Sequence, residues 1–182
     1  MANTAGNVLV GKPLVTGGIL RAVLGTAVPT DATTAPAGAF AGAGYVSDAG
    51  VVQTIGTDST SIKAWGGDEV RKVQTSHTVT YQFTLIETND ESLGIYYGDG
   101  SVTSGAGARA VEITSAELEH AAYVIEMKDG DNKIRITIGD GQVTERGDVS
   151  YVDSNAIAYQ VTVTCYPDAD GVKATIYTDD GS

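Results

Sequence analysis

The chain has 182 residues, 42% of them hydrophobic, and its 11 basic against 23 acidic side chains give a formal charge of -12. That length suits one domain with a sizeable core, and the acidic balance argues against a subunit that grips phosphate backbones. The single cysteine, Cys165, excludes an internal disulfide framework, while abundant Gly, Thr, Val and Asp with only two Phe and one Trp suit many short strands and tight turns.

The first seven residues, MANTAGN, lack the basic and apolar parts of a leader. No apolar run nears the roughly 20 residues of a membrane-spanning helix, so a protein made and kept in a cytoplasm is expected. Residues 1–43 are rich in Gly, Ala, Thr and Pro, with short apolar groups at 8–10 and 19–24, and 26–43 show no periodicity. Such a segment buries too little surface to order itself, and is either mobile or ordered against a partner. Residues 44–55 read as a strand interrupted at Asp48-Ala49-Gly50, Gly56-Thr57-Asp58 as a turn, and 59–64 and 69–74 as strands flanking Gly66-Gly67. That glycine pair opens no helix and lacks a following Lys-Ser/Thr, so it marks a turn or bulge, not a phosphate loop. Trp65 has no aromatic neighbour and reads as a core or interface anchor.

From 78 to 87 the side chains alternate, Val79, Tyr81, Phe83 and Leu85 on one face against Thr78, Thr80, Gln82 and Thr84 on the other. Thr88 with Glu91 makes a capping box, opening a helix over about 88–97 that carries Leu93, Tyr96 and Tyr97 and stops at Gly98. Residues 98–107 form a glycine-rich polar loop. Strands follow at 109–114 and 119–128, with 115–118 a candidate helical turn. A turn at 129–132 registers a hairpin that sets Lys128 against Lys133, Met127 against Ile134, Glu126 against Arg135, Ile125 against Ile136 and Tyr123 against Ile138. This puts the apolar residues on one face, and on the other a Glu126–Arg135 pair worth about 0.2–1 kcal/mol. Gly139-Asp140-Gly141 reads as a tight turn. Residues 156–166 alternate again, Gln160, Thr162 and Thr164 against Tyr159, Val161, Val163 and a core Cys165, and two strands with the same neutral face belong together. A turn at 167–171 leads to a last strand at 173–178.

No constellation here supports a reaction. His77 and His120 lack ligand-spaced partners. The Asp129-Gly130-Asp131-Asn132 turn lacks a calcium loop's glycine position and twelfth-place glutamate, and the glycine-rich loop follows a helix where a dinucleotide cradle precedes one. No catalytic, cofactor or metal residue is assigned, and an enzyme is not expected.

Ile62-Lys63-Ala64-Trp65-Gly66-Gly67-Asp68, with Val70-Arg71 and Phe83-Thr84-Leu85-Ile86-Glu87, resembles the major tail tube proteins of long-tailed bacteriophages that infect actinobacteria. The likeness extends to Gly44-Tyr45-Val46-Ser47-Asp48-Ala49-Gly50, Glu119-His120, Val124-Ile125-Glu126-Met127 and Tyr159-Gln160-Val161-Thr162-Val163-Thr164. It covers most of the chain from about Gly44 and rests on the order of these strings together. The resemblance implies an antiparallel β-barrel or sandwich with one flanking helix, as a single domain over 44–182, and an N-terminal arm over 1–43 laid on neighbouring subunits. It further implies six-membered rings stacked into a tube that conducts the genome, located in the virion tail after assembly in the host cytoplasm. Its partners would be other copies, a tape measure protein, a tail terminator and a distal tail protein, with double-stranded DNA passing through unbound and no membrane insertion. Because a cationic wall would retain phosphates, the neutral faces (Thr78, Thr80, Gln82 and Thr84; Gln160, Thr162 and Thr164) are the expected channel lining, the competing reading being that they face the outer solvent. Asp58, Trp65, Asp68, Arg71, Asp99 and Arg109 are nominated for contacts between subunits or rings. The rival reading is a virion-associated decoration or carbohydrate-binding β-sandwich.

Overall fold

The computed structural model describes residues 8–14 and 18–181; residues 1–7 and 15–17 of the expected arm, and Ser182, lie outside the described residues. In chain order the strands are β1 (Lys12–Pro13), β2 (Ile19–Val23), β3 (Ala41–Gly42), β4 (Val46–Lys63) and β5 (Glu69–Leu85). Helix α1 (Asp90–Tyr97) follows, then β6 (Val102–Gly105), β7 (Ala108–Val111), β8 (Ala121–Asp129), β9 (Asn132–Arg146), β10 (Tyr159–Cys165) and β11 (Thr175–Asp179). Strands run β3-β2-β8-β9-β10-β5-β4, with β1 beside β8 and β11 beside β9, and the sheet stays an open, sandwich-like structure without closing into a barrel. Strand β9 makes the turn between layers: Ile134–Thr137 pair with both β8 and β11, whereas its later residues pair with β10. The architecture is the mainly β, one-helix domain that the alternation predicts.

The predicted hairpin register is observed at every expected pair from Lys128↔Lys133 to Tyr123↔Ile138. The apolar faces also fall as expected, with Val79, Tyr81, Phe83, Leu85, Tyr159, Val161, Val163 and Cys165 all in the core beside Leu93, Ile95, Tyr123 and Ile125. Helix α1 closes one side of that core, its Tyr96 edge-on to Tyr159 at 5.5 Å.

Several local expectations fail for identifiable reasons. Gly56-Thr57-Asp58 is no turn; β4 runs through it, and a Cβ on Gly56 would lie 2.6 Å from the Thr78 hydroxyl across the ladder. Glycine there permits close strand approach. Gly139-Asp140-Gly141 likewise lies inside β9, where a Cβ on Gly141 would meet Val163 at 2.8 Å. The capping box is displaced by one residue: Asn89 is the cap and accepts from the Ser92 amide at 2.7 Å, which serves the helix as well as a threonine does. Thr88 instead meets the Tyr159 hydroxyl at 3.2 Å, and Glu91 pairs with Arg21. The glycine-rich loop contains β6 and the turn that pairs it with β7, and 115–118 form no helical turn.

Part of the 1–43 segment is built into its own subunit. Strand β2 pairs with β8 and buries Ile19 completely. The Glu126–Arg135 pair, on the face away from the apolar residues as expected, is buried beneath residues 31–34: Arg135 Nη1 donates to the carbonyls of Asp31 at 2.8 Å and Thr34 at 2.6 Å. Asp31 shapes that cover by accepting from the amides of Thr33 and Thr34, which with the Thr34 hydroxyl hold its carboxyl well below the usual range.

Candidate functional site

The two neutral strand faces, separated by more than 75 positions in sequence, become one surface. Strands β5 and β10 are adjacent and antiparallel, with Thr84↔Gln160, Gln82↔Thr162 and Thr80↔Thr164 directly opposed. Opposed residues in such a ladder point to the same side, so all of these side chains share a face. Gln82 donates to the Thr162 hydroxyl at 3.3 Å, and the Thr164 and Thr144 hydroxyls meet at 2.7 Å. Thr54 of β4 stands opposite Thr80, which completes a row of threonines, Thr54, Thr80, Thr164 and Thr144, across four strands. Thr144 and Thr54 were not singled out from sequence: Thr144 is the extra residue of a β9 bulge, between the partners of Thr162 and Val163, and Thr54 joins the face through its pairing with Thr80. Thr162 is buried, Thr80, Thr84 and Thr164 are half-buried, and Thr78, Gln82 and Gln160 are exposed. The face presents amides and hydroxyls without cations, joined by the Glu145 carboxylate opposite Thr162 and by Val52 opposite Gln82.

A second feature is the β4–β5 hairpin. It continues far past the core, and no residue from 56 to 76 is buried. At about 3.3 Å per residue its free part extends roughly 25 Å beyond the sandwich. The turn needs both glycines: Gly66 and Gly67 have φ of 115° and 99°, and the Gly67 amide closes on the Ala64 carbonyl at 3.0 Å. Ile62, Trp65 and Val70 are exposed on this arm. Its three bases (Lys63, Arg71, Lys72) balance its three acids (Asp58, Asp68, Glu69), so the formal charge of -12 falls on the rest of the chain. Four of the six nominated contact residues, Asp58, Trp65, Asp68 and Arg71, are thus brought together on one projection.

The other two, Asp99 and Arg109, lie near α1 and are held within the subunit. Arg21 Nε contacts Glu91 at 2.6 Å and Arg21 Nη2 contacts Asp99 at 2.5 Å, tying both ends of α1 to β2. Burial alone would lower the Arg21 pKa, but the Asp99 hydrogen bond and the nearby Glu91 charge raise it. Arg109 pairs with Asp90 and, with Ser104, depresses its carboxyl. Arg21 was missed from sequence because it sits within a short apolar group with no charge pattern around it. A cavity of about 380 Å³ opens here, bordered by Arg21, Asp90, Glu91, Asp99 and Glu119.

His120 Nδ1 meets Asp140 at 2.5 Å beside the Tyr166 ring. Burial pushes Cys165 and Tyr81 each up to about 12, which keeps both protonated in neutral solution. Among the described residues no group of His, Cys, Asp and Glu is arranged to hold a metal ion, and no helix is long and apolar enough to cross a membrane.

The sequence model of a family described as "Phage tail tube protein" matches residues 1–181. No curated protein sequence matches. Among solved structures, the tube-terminating cap of the anti-feeding prophage aligns with a TM-score of 0.46 at 13% identity, covering 98% of this chain and 100% of that one. The sheath/tube terminator of an extracellular contractile injection system, PVC, aligns with a TM-score of 0.44 at 10% identity, covering 92% of this chain and 99% of that one. A chain of the sheath-tube complex of PVC gives 0.44 at 8% identity, covering 92% of each.

Proposed function

The chain belongs to the phage tail tube protein family, and from that premise we propose that it is the major tail tube subunit of a long-tailed phage. Copies close into six-membered rings, and rings stack into the channel through which the genome leaves the capsid. The observation that carries this reading is the β4–β5 arm: a charge-balanced, apolar-tipped projection on an otherwise strongly acidic subunit. Two acidic surfaces repel, so copies approach most readily through a segment of zero net charge. Covering Ile62, Trp65 and Val70 removes apolar surface from water. Ring closure also resolves the unpaired outer edges of β4 and β11, which would otherwise invite indiscriminate pairing.

In this arrangement the Thr/Gln face lines the channel. A duplex that must move quickly meets neutral hydroxyls and amides, and no row of cations releases counterions to hold it. The tube is built in the host cytoplasm and ends up in the virion tail, where a tape measure protein, a tail terminator and a distal tail protein are its partners. The chain's sole tryptophan makes the test direct, because Trp65 is fully exposed in the isolated subunit. Its fluorescence emission is expected to move to shorter wavelength as tubes form, in step with light scattering. Assembly without any change in emission would remove the arm from the contact, and an absence of assembly at high concentration would remove the tube.

A further inference from the structure

A groove of about 280 Å³ lies where the base of the β4–β5 arm faces the C-terminal strand, between Ile55, Val79, Val172 and Ile176, with Tyr81 and Lys173 among its walls. Its volume is below the roughly 300 Å³ at which small-molecule pockets begin, and its walls set aliphatic side chains beside Gln53 and His77. Ile55 is 60% and Ile176 51% exposed. Lys173, whose ammonium donates to the His77 carbonyl, is the one formally charged residue of the lining, and no carboxylate is present. On a subunit of charge -12 that composition is unusual. The outer edge of β11 beside it has no strand partner.

Elsewhere the same chain carries a segment of complementary character. Residues 112–117, Glu-Ile-Thr-Ser-Ala-Glu, follow β7 without forming a helix or a strand, and every one of them is exposed. Ile113 is 80% exposed, the highest value of any isoleucine, leucine or valine among the described residues. The Glu112 amide is bonded to the Ser101 carbonyl, but the amides of Ile113, Thr114 and Ser115 have no hydrogen-bond partner among the described residues. Glu117 accepts from the Gln142 side-chain amide at 3.2 Å, but Ile113 beside the Glu112 carboxylate, on a backbone with three free donors, has the chemistry of a strand that adds to an open edge.

Resting on the tube reading above, we propose that residues 112–117 of one subunit seat in the β4/β5/β11 groove of the next, with Ile113 filling the groove and the Glu112 end of the segment nearest Lys173. Charge decides the choice of receptor. The larger cavity beside α1 is bordered by Asp90, Glu91, Asp99 and Glu119, with Arg21 already engaged, and it repels an acidic segment. The donor segment and the groove share no residue. The contact is therefore head-to-tail, the type that generates rings or filaments instead of isolated dimers.

The test measures the concentration at which purified full-length protein assembles, by sedimentation velocity. Ile113→Asp and Lys173→Glu each raise that concentration about tenfold or more, from the lost aliphatic burial and the reversed charge. Adding Glu112→Lys to Lys173→Glu brings it back toward the wild-type value. Ile113 is at the surface, so circular dichroism and the thermal midpoint of unassembled Ile113→Asp stay unchanged; Lys173→Glu also gives up the bond to the His77 carbonyl, so Lys173→Met, which loses that bond without reversing the charge, is its control. An independent readout mixes an Ile113→Cys protein with an Ile176→Cys protein under mild oxidation; a disulfide-linked pair forms in the mixture and in neither protein alone. If wild type assembles while the substitutions leave the concentration unchanged, or no mixed disulfide forms, the groove assignment is overturned and the tube reading stands. If wild type stays monomeric at every concentration, both fall.

Discussion

Replacing Arg135 by methionine exposes how the N-terminal segment is held. The Arg135 side chain is 5% exposed and that of Glu126 8%. Its Nε donates to Glu126 at 2.9 Å, and its Nη1 to the two carbonyls of residues 31 and 34. Methionine preserves much of the volume but leaves a carboxylate buried without its cation and two carbonyls without a donor. Removing one member of a buried pair costs about 3–5 kcal/mol, a large share of the roughly 5–15 kcal/mol that stabilises an ordinary domain. Urea unfolding of the unassembled subunit measures it, with hydrogen exchange on residues 31–34 reporting the loosened cover. The double variant Glu126→Leu with Arg135→Met removes the unpaired charge and is expected to recover most of the loss. A single-variant loss below about 1 kcal/mol, or exchange at 31–34 that does not change, would show that the pair is solvated and does not retain the segment.

The other predictions concern the helix, the thiol, titration and the channel face. Asn89→Ala is expected to cost about 1 kcal/mol by removing the acceptor for the Ser92 amide, and Thr88→Ala less, as compared by thermal melts. Cys165, buried and with its thiol pushed up to about 12, is expected to ignore thiol reagents until the subunit unfolds, so labelling rate tracks global opening. Tyr81 and Tyr123, each pushed up by burial to about 12 from 10.0, hold their protons in the folded state after the unfolded chain has lost them. Their contribution is complete below pH 10 and declines as pH rises from 10 toward 12, which a denaturation series in alkali would register as a falling midpoint. Asp31 acts oppositely: its lowered pKa gives stability present above 3.8 and lost as pH falls below it, an effect that Asp31→Asn should abolish. Lysine at Thr80 and Gln82 should leave assembly intact and slow genome release, most strongly at low salt where phosphate attraction is least screened.

What the sequence made legible was whatever period two controls. The alternation of 78–87 and 156–166 named the core residues, and charge and apolar matching set the register from Lys128↔Lys133 to Tyr123↔Ile138 before any coordinates. Glycine was harder to read. Gly66 and Gly67 mark a turn, but Gly56 and Gly141 mark places where a neighbouring strand's side chain leaves no room for a Cβ, and sequence gives both the same letter. The cap was misread by one position because Thr88 and Asn89 are both good caps, and the choice depends on Tyr159, which takes the threonine hydroxyl. Burial of the Glu126–Arg135 pair was invisible because its cover, residues 31–34, has no periodicity; an Asp followed by two threonines was the one local hint of an ordered turn. The neutral face was visible as two strands, whereas its extension through Thr54 and Thr144 depended on pairings and a bulge that only the folded chain displays.

The most direct test of the central claim is a cryo-electron-microscopy reconstruction of tubes assembled from the purified protein, or of the virion tail. The account predicts six subunits per ring, with Thr80, Gln82, Gln160 and Thr162 facing the lumen and the turn at residues 64–68 covered by a neighbouring copy. A tube whose Thr/Gln face points outward, or whose β4–β5 arms stand free in solvent, would contradict it.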